Sequence, residues 1–361
     1  MTRETTKTAP RPSAVDSTPP DEPLLQIDSL RTYFDTDAGT IRAVDGTSFS
    51  VDRGETVCLV GESGCGKTVT AESITRLLPM PPGRIVGGSI RFDGTELTTL
   101  DNHELRSYRG ARIAHVFQHP SRSLNPVYSI GYQIRESLSI NTDFDREERE
   151  NRSIELLDRV GIPDPSHRVD AYPHQLSGGM QQRALIAIAL AGEPDLLIAD
   201  EPTTALDVTI EAEILDLFDE LQRSLDMAIL FITHDLGVVA SIADRVVVMY
   251  AGTVVEVGNV FDLFEQPAHP YTRAMFRSHP RRSRGFEPIP GRTPDPTDLP
   301  IGCRFHPRCP HAIDKCASDG APGTYMHGSK GHEVACIHFG PGQNPKTVLG
   351  DPCREEETTD D

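Results

Sequence analysis

Gly61-Glu62-Ser63-Gly64-Cys65-Gly66-Lys67-Thr68 is the stretch of this sequence that decides its fold. It lies between an apolar run at 55–60, which predicts a strand, and residues 67–78, whose spacing predicts a helix. A glycine-rich turn in that position directs consecutive backbone N–H groups at phosphate oxygens, and the helix adds its positive end. The pattern predicts an α/β fold with a nucleoside triphosphate site.

Each residue type in the loop has an expected role. The ammonium of Lys67 reaches the β- and γ-phosphates, and the hydroxyl of Thr68 binds Mg²⁺. Cys65 stands where serine is commonest, and because backbone amides do most of the binding, we expect activity to survive. The predicted nucleotide-binding residues here are Gly61, Glu62, Ser63, Gly64, Cys65, Gly66, Lys67, Thr68 and Val69.

A second buried strand is predicted at 196–199, and two acids follow it, Asp200 and Glu201. Asp200 is placed to hold the Mg²⁺ shell through water. Glu201 is placed to orient or deprotonate the attacking water. A surface pair of acids at a strand end is the alternative, but the nearby phosphate loop favours hydrolysis.

Between those strands lies Leu176-Ser177-Gly178-Gly179-Met180-Gln181-Gln182-Arg183. This stretch resembles the signature of ABC transporter ATPases, usually Leu-Ser-Gly-Gly-Gln, with Met180 in the last place. The other landmarks of that family follow in order: Gln118, Asp207 and His234. The resemblance covers residues 24–280.

The resemblance implies a RecA-like core with an antiparallel β subdomain and a helical subdomain at about 121–190. It also implies two ATPase subunits facing head to tail. Ser177, Gly178 and Gly179 of one subunit then contact the ATP held by the phosphate loop of the other.

Further site roles follow from the same resemblance. Gln118 senses Mg²⁺ and the attacking water. His234 contacts the γ-phosphate and holds Glu201 and the partner's Asp207 in line. Phe34 stacks on the adenine, with Tyr33 as the alternative. The predicted catalytic residues are Glu201, His234, Gln118 and Lys67.

Three segments resemble one branch of the family, the oligopeptide/dipeptide (peptide/nickel) permeases: residues 118–126, 269–272 and 302–310. That branch implies ATP hydrolysis coupled to import at the cytoplasmic face of the cell membrane. The implied partners are two membrane subunits, a second related ATPase and an extracellular substrate-binding protein. The sequence leaves the cargo open between di- or oligopeptides, sugar oligomers and nickel.

Composition bounds the alternatives. The chain has 361 residues and a formal net charge of −19, with only five lysines among its 35 basic residues. That charge argues against a general nucleic-acid binder and favours a halophilic source. No apolar run approaches the roughly 20 residues of a membrane span. A soluble ABC ATPase acting on DNA or ribosomes is the remaining rival, but the long coiled-coil insertion usual in that class is absent.

The chain is predicted to divide into a disordered leader (1–23), an ATPase domain (24–280), a linker (281–300), a cysteine-rich module (301–340) and an acidic tail (341–361). Within the ATPase domain, 24–27 and 41–44 are predicted to form an antiparallel hairpin. Strands are also expected at 228–232, 245–249 and 253–257. The module is expected to lie apart from the ATP site.

Four cysteines define the module: Cys303, Cys309, Cys316 and Cys336, spaced C-x5-C-x6-C-x19-C. Four thiolates suit Zn²⁺ or an iron–sulfur cluster. Because zinc knuckles favour shorter spacings, the longer ones favour a cluster, and the resemblance points to [4Fe–4S]. Zinc, or unliganded or redox-paired thiols, are the alternatives. Cys58 and Cys353 are not expected to be ligands.

Overall fold

The computed structural model describes residues 22–204, 206–278, 289–318, 320–328 and 331–350. Several predicted features lie outside these residues: the leader up to residue 21, Ala205, the linker up to residue 288, and the tail from residue 351, with Cys353. No helix among the described residues has the length and apolar character needed to cross a membrane.

The described residues contain twelve strands. They are β1 Leu25–Thr36, β2 Gly39–Val51, β3 Thr56–Val60, β4 Gly83–Phe92, β5 Thr95–Glu96, β6 Ile113–Val116, β7 Leu196–Asp200, β8 Ala228–Thr233, β9 Arg245–Tyr250, β10 Thr253–Asn259, β11 Tyr325–Met326 and β12 Glu333–Val334.

The helices fall mostly between β6 and β7 and after β7. They are α1 Lys67–Ile74, α2 Asn102–Arg106, α3 Pro120–Ser123, α4 Ile130–Asn141, α5 Arg146–Arg159, α6 Pro165–Arg168, α7 Gly178–Ala189, α8 Val208–Leu225, α9 Leu236–Ile242, α10 Val260–Glu265, α11 Pro270–Arg277 and α12 Lys346–Leu349.

The larger sheet has the strand order β11-β12-β10-β9-β3-β8-β7-β6. The five strands from β9 to β6 are parallel, and β10 pairs antiparallel with β9. β3 and β8 are wholly buried because layers cover both faces of the sheet. Side chains of β8 alternate between two cores: Ile229 and Phe231 lie in one, Leu230 and Ile232 in the other. The carboxyl ends of β3, β7 and β8 therefore meet at one edge.

The smaller sheet, in the order β2-β1-β4-β5, is antiparallel. The predicted hairpin is confirmed, although its strands run much further than 24–27 and 41–44. Its turn is also tighter than predicted, because Thr36 already pairs with Gly39. This sheet covers the core that contains Leu230 and Ile232.

Five helices, α3 to α7, lie between β6 and β7. They pack around a core that includes Leu156 and Leu157 of α5. Asp145 precedes the charged first turn of α5. Its side chain caps this helix by accepting from the N–H groups of Glu147 and Glu148.

Helix α1 is shorter than predicted: it ends at Ile74, not at residue 78. Arg76 adopts a left-handed conformation with φ of 50°. The N–H of Leu77 donates to the carbonyl of Glu72, and the N–H of Arg76 donates to that of Ser73. These two bonds form a helix-ending motif that usually requires glycine, so the sequence carried no signal for the stop.

The cysteine-rich segment, residues 301–340, is joined to the ATPase core by backbone pairing. Its strand β12 pairs with β10, which extends the central sheet. The wholly buried carboxylate of Glu256 in β10 accepts from the N–H groups of Ala268 (2.7 Å) and His269 (2.9 Å) and from Nε2 of His332 (2.8 Å). Residues 341–350, predicted as tail, include α12, and Val348 there is buried.

Candidate functional site

The phosphate loop, residues 61–68, joins the carboxyl end of β3 to α1. All three of its glycines adopt positive φ, 152° at Gly61, 78° at Gly64 and 104° at Gly66. A Cβ at Gly61 would lie 2.2 Å from the carbonyl oxygen of Met249, and one at Gly66 would lie 2.2 Å from that of Ala43. No side chain fits at either position. The turn therefore depends on glycine, as the sequence pattern predicted.

Lys67 begins α1 and is 6% exposed. Its ammonium donates to the carbonyl oxygens of Gly61 (2.8 Å) and Glu62 (3.1 Å). A fixed positive charge thus lies over the loop, at a helix N-terminus where anions bind. Cys65 beside it is buried, and burial raises the pKa of its thiol.

Asp200, at the end of β7, lies near the hydroxyl of Thr68. Burial raises the pKa of Asp200, and the charge of Glu201 adds to the shift, while the Thr68 hydroxyl and the charge of Lys67 oppose it. A carboxylate in this environment gains from a bound cation. The hydroxyl and carboxylate are the oxygen donors that Mg²⁺ prefers.

Glu201 is the centre of a hydrogen-bonded cluster at the same edge of the sheet. Its Oε2 accepts from Nε2 of Gln118 (2.7 Å) and from the hydroxyl of Thr204 (3.1 Å). Its Oε1 lies 3.1 Å from Nδ1 of His234. Thr204 was not identified from the sequence, although its position three residues after Glu201 places it in the same turn.

The charge state of Glu201 follows from these contacts. Burial alone would raise the pKa of Glu201, but the hydrogen bond and charge of His234 and the hydrogen bond from Thr204 outweigh it. The pKa of Glu201 therefore lies below its ordinary value. The carboxylate is ionised at neutral pH, as a general base must be.

The signature residues lie elsewhere, at the start of α7. Ser177 is exposed and caps α7 by accepting from the N–H of Met180 (3.3 Å). Gly179 packs so closely against α8 that a Cβ there would lie 2.6 Å from Cγ2 of Ile210. Asp207, also exposed, caps α8. No hydrogen bond between described residues joins this group to the phosphate loop.

The predicted adenine contacts lie on β1. The ring of Phe34 is half-buried and packs against Gly83. The hydroxyl of Tyr33 donates to Asp45 at 2.6 Å. A cavity of about 190 Å³ adjoins the phosphate loop, and its walls include Arg42 and residues 62–65.

Taken together, the structure brings one set of predicted residues to a single edge of the sheet: residues 61–68, Gln118, Asp200, Glu201 and His234. Ser177, Gly178, Gly179 and Asp207 form a second group at the starts of α7 and α8.

Comparison with known proteins identifies the family. The ABC transporter family profile matches residues 44–204, and the profile of the oligopeptide/dipeptide transporter C-terminal region matches residues 255–316. The dipeptide transport ATP-binding protein DppD of Escherichia coli K12 is 47% identical over 299 residues, which cover 82% of this chain and 91% of DppD. The chain belongs to the ABC transporter ATPases of the oligopeptide/dipeptide branch.

Other comparisons agree. DppD of Bacillus subtilis strain 168 is 48% identical to this ABC ATPase over 318 residues, 87% of this chain and 94% of that one. Among solved structures, the ATP-binding cassette MJ0796, in a dimeric post-hydrolysis state with ADP and Pi, has a TM-score of 0.59 and 27% identity. The match covers 65% of this chain and 98% of MJ0796. The resemblance inferred from the motifs is confirmed.

The part of the chain described from residue 289 onward, here called the C-terminal extension, reaches the phosphate loop itself. Arg308 donates to both carboxylate oxygens of Glu62, at 2.8 and 3.1 Å. Arg304 donates to the carboxylate of Asp45 and to the carbonyl of Ala251. Sequence reasoning missed the contacts with Glu62 and Asp45 because these partners lie 246 and 259 residues earlier in the chain. The one available signal was that each arginine adjoins a predicted cysteine ligand.

The four cysteines of the extension, Cys303, Cys309, Cys316 and Cys336, are free thiols. Burial raises the pKa of Cys309 and Cys336 to about 12, and the charges of neighbouring cysteines add to both shifts. The four are therefore within electrostatic range of one another. Across the described ranges, however, no group of three or more His, Cys, Asp or Glu side chains is arranged to hold a metal ion.

Proposed function

We propose that this ABC ATPase powers the import of di- and oligopeptides through a separate pair of membrane subunits. One observation above all supports ATP hydrolysis. An ionised Glu201, held by Gln118 and His234, lies at the edge of the sheet that carries the phosphate loop. The cargo rests on the relatives that are named for dipeptide transport and on the match to the transporter C-terminal region.

At the catalytic edge, each residue has one task. Lys67 binds the β- and γ-phosphates, and Glu201 orients the attacking water and accepts its proton. Gln118 and His234 hold the Glu201 carboxylate by the hydrogen bonds described above. His234 also contacts the γ-phosphate. Because these side chains are pre-positioned, little reorganisation precedes the reaction.

The oxygen donors of Thr68 and Asp200 fit Mg²⁺, since a hydroxyl lies near a largely buried carboxylate. Gln118 completes the set of proposed ligands. Bound there, Mg²⁺ neutralises charge on the β- and γ-phosphates.

The working unit in this proposal is a pair of ATPase subunits, this chain and a second related one. Ser177, Gly178 and Gly179 serve the nucleotide on the partner subunit, and Asp207 faces its histidine. Two observations support this: Ser177 and Asp207 are exposed at helix N-termini, and the similar cassette MJ0796 is dimeric. A helix N-terminus with glycines allows close approach to a phosphate.

We propose Phe34 as the residue that stacks on the adenine. Its neighbour Tyr33 is the weaker choice because its hydroxyl is already bound to Asp45. We also propose that the complex includes an extracellular substrate-binding protein. The ATPase pair lies at the cytoplasmic face of the membrane subunits.

For the extension we propose a [4Fe–4S] cluster bound by Cys303, Cys309, Cys316 and Cys336. The donor set fits: four free, largely buried thiols lie within electrostatic range of one another. The spacing of the four cysteines, longer than that of zinc knuckles, favours the cluster over zinc. When bound, the cluster would neutralise thiolates that burial otherwise disfavours and would link the loops of the extension.

Metal analysis tests the cluster. Anaerobic purification of the full chain should give iron and acid-labile sulfide near about four each per chain. Stoichiometric zinc without iron would refute the cluster, and neither metal would leave free or paired thiols.

Uptake assays test the cargo. Vesicles that carry the complete complex should accumulate labelled di- and oligopeptides when ATP is supplied on the ATPase side. Matched assays offer labelled sugar oligomers and nickel. The same complex with Glu201→Gln controls for leakage. ATP-dependent uptake of sugar or nickel, without peptide uptake, would overturn the peptide assignment.

A further inference from the structure

Glu62, the second residue of the phosphate loop, is held on every polar group by the rest of the chain. Its N–H donates to the hydroxyl of Tyr271 at 2.9 Å. Its carbonyl accepts from Lys67 at 3.1 Å, and its carboxylate receives both terminal nitrogens of Arg308. Tyr271 and Arg308 belong to two different segments after the catalytic strands. Both segments therefore converge on one loop residue.

Arg308 is itself held rigidly. Its side chain is 5% exposed. Its Nε donates to the carbonyl of Pro290 at 2.8 Å, and Nη1 also donates to the hydroxyl of Tyr250 at 3.2 Å. The guanidinium lies 5.7 Å from the ring centroid of Tyr250 and 6.0 Å from that of Phe305. Because the planar guanidinium of Arg308 is fixed in this way, its two hydrogen bonds determine where the Glu62 carboxylate lies.

The charge of Glu62 makes that position matter. An unpaired carboxylate in a phosphate loop repels the negative charges of ATP, and this repulsion is strong where water is partly excluded. Arg308 neutralises the carboxylate and holds it toward the extension. The extension also supplies one wall, Thr293 to Leu299, of the cavity beside the loop.

We propose that Arg308 is a positioning residue for ATP binding. It neutralises Glu62 and fixes the phosphate loop, so that the C-terminal extension sets the affinity of this subunit for ATP. The extension is then part of the nucleotide site and not only an attachment to it.

A double-mutant cycle tests the proposal in the assembled transporter, with binding of labelled ATP to the full chain as a second measurement. Arg308→Met should raise KM for ATP at least about tenfold and change kcat less than about threefold, since it removes a binding contribution. In a Glu62→Gln background, the same Arg308→Met substitution should change KM less than about twofold, because no carboxylate is left to repel ATP. A merely structural role would not produce this dependence on Glu62.

Arg112→Met is the matched control. Arg112 binds Asp93 (2.8 Å) and Asp195 (2.7 Å) and lies 5.0 Å from the ring centroid of Phe92. Like Arg308, it therefore combines carboxylate partners with an aromatic neighbour. It precedes β6, at the edge of the sheet opposite the nucleotide site. Its loss should lower the unfolding temperature and leave KM for ATP unchanged.

Arg308→Lys covers the case in which Arg308→Met does not fold. Lysine keeps the positive charge but cannot form the paired hydrogen bonds of a guanidinium. KM should therefore rise about threefold, and the rise should disappear in the Glu62→Gln background. An unchanged KM in a folded Arg308 variant, or an equal rise with and without Glu62, would overturn the proposal.

Discussion

Glu201 has a backbone conformation that few non-glycine residues adopt. Its φ is 45°, in the left-handed region. The surrounding hydrogen bonds hold it there: its own N–H donates to the carbonyl of Ile232, and Gln118 and His234 fix the carboxylate. Strained residues of this kind persist where the surroundings determine them, and they concentrate at functional sites. This backbone conformation places the carboxylate between Gln118 and His234, at the edge of the sheet.

Substitution of that carboxylate separates catalysis from binding. Glu201→Gln should keep ATP affinity and lower turnover by about 10²–10⁴-fold, because an amide cannot accept the proton of water. Lys67→Ala should instead weaken ATP binding. Turnover and nucleotide affinity of the assembled complex measure the two effects. Near-normal turnover in Glu201→Gln would show that another group is the base.

The pH dependence of hydrolysis should depend on His234. Burial raises the pKa of Glu201, and His234, Thr204 and Lys67 together lower it below its ordinary value. In His234→Gln the contribution of His234 is lost, so the pKa of Glu201 rises and the acid side of the kcat profile shifts to higher pH. Activity in both forms is lost as pH falls through that pKa. His103→Gln, an exposed change outside the site, is the control, and equal acid limbs in all three proteins would contradict the argument.

At the scale of elements, the start of α7 combines a structural cap with an exposed surface. Ser177→Arg should abolish hydrolysis by the assembled complex and leave ATP binding by the isolated subunit intact, because Ser177 serves the partner's nucleotide in the head-to-tail pair that we propose. Loss of the cap itself costs only about 1 kcal/mol. Asp145→Arg removes another exposed helix cap, that of α5, and should leave hydrolysis unchanged. Loss of ATP affinity in the isolated Ser177→Arg subunit would exclude the head-to-tail arrangement.

The same scale shows what the sequence could predict. Strands such as β8 were predictable because their burial appears as a local apolar run, and the phosphate loop because its glycines, lysine and threonine lie within one short stretch. The end of α1 was not, because Arg76 takes a place where glycine is usual. The placement of Arg308 beside Glu62 brings together residues 246 positions apart and has no local pattern.

The junction of β10 with the extension depends on one buried carboxylate. In Glu256→Gln an amide N–H₂ must face a donor, either a backbone N–H or His332. One buried donor is then left unpaired, which should lower the free energy of unfolding by about 1–3 kcal/mol. Thermal unfolding of the full chain measures this. Glu220→Gln, on the exposed face of α8, should have no comparable effect; equal changes in both would contradict the role of the junction.

At the scale of the whole molecule, the extension changes how the chain must be divided. It adds two strands to the central sheet and two arginines to the nucleotide region, so its boundary is not a boundary between independent folding units. A linker and a separate module were predicted because this segment contains few apolar residues. Composition carries no information about the backbone pairing and the ion pairs that join the segment to the core.

The net charge of −19 also acts on the molecule as a whole. Repulsion among excess carboxylates opposes the compact state, and salt screens it, since the Debye length falls from about 10 Å at 0.1 M to about 3 Å at 1 M. Exposed ion pairs such as Arg84–Asp35 are also screened, but such pairs contribute little to stability. The unfolding temperature at pH 7 should therefore rise between about 0.1 and 1 M KCl, because the shorter Debye length weakens this repulsion. Near the isoelectric point of about 5.1 the net repulsion disappears, and the rise should shrink or reverse. An equal rise at both pH values would attribute the stabilisation to general salt effects on apolar burial, and a fall at pH 7 would show that the ion pairs dominate.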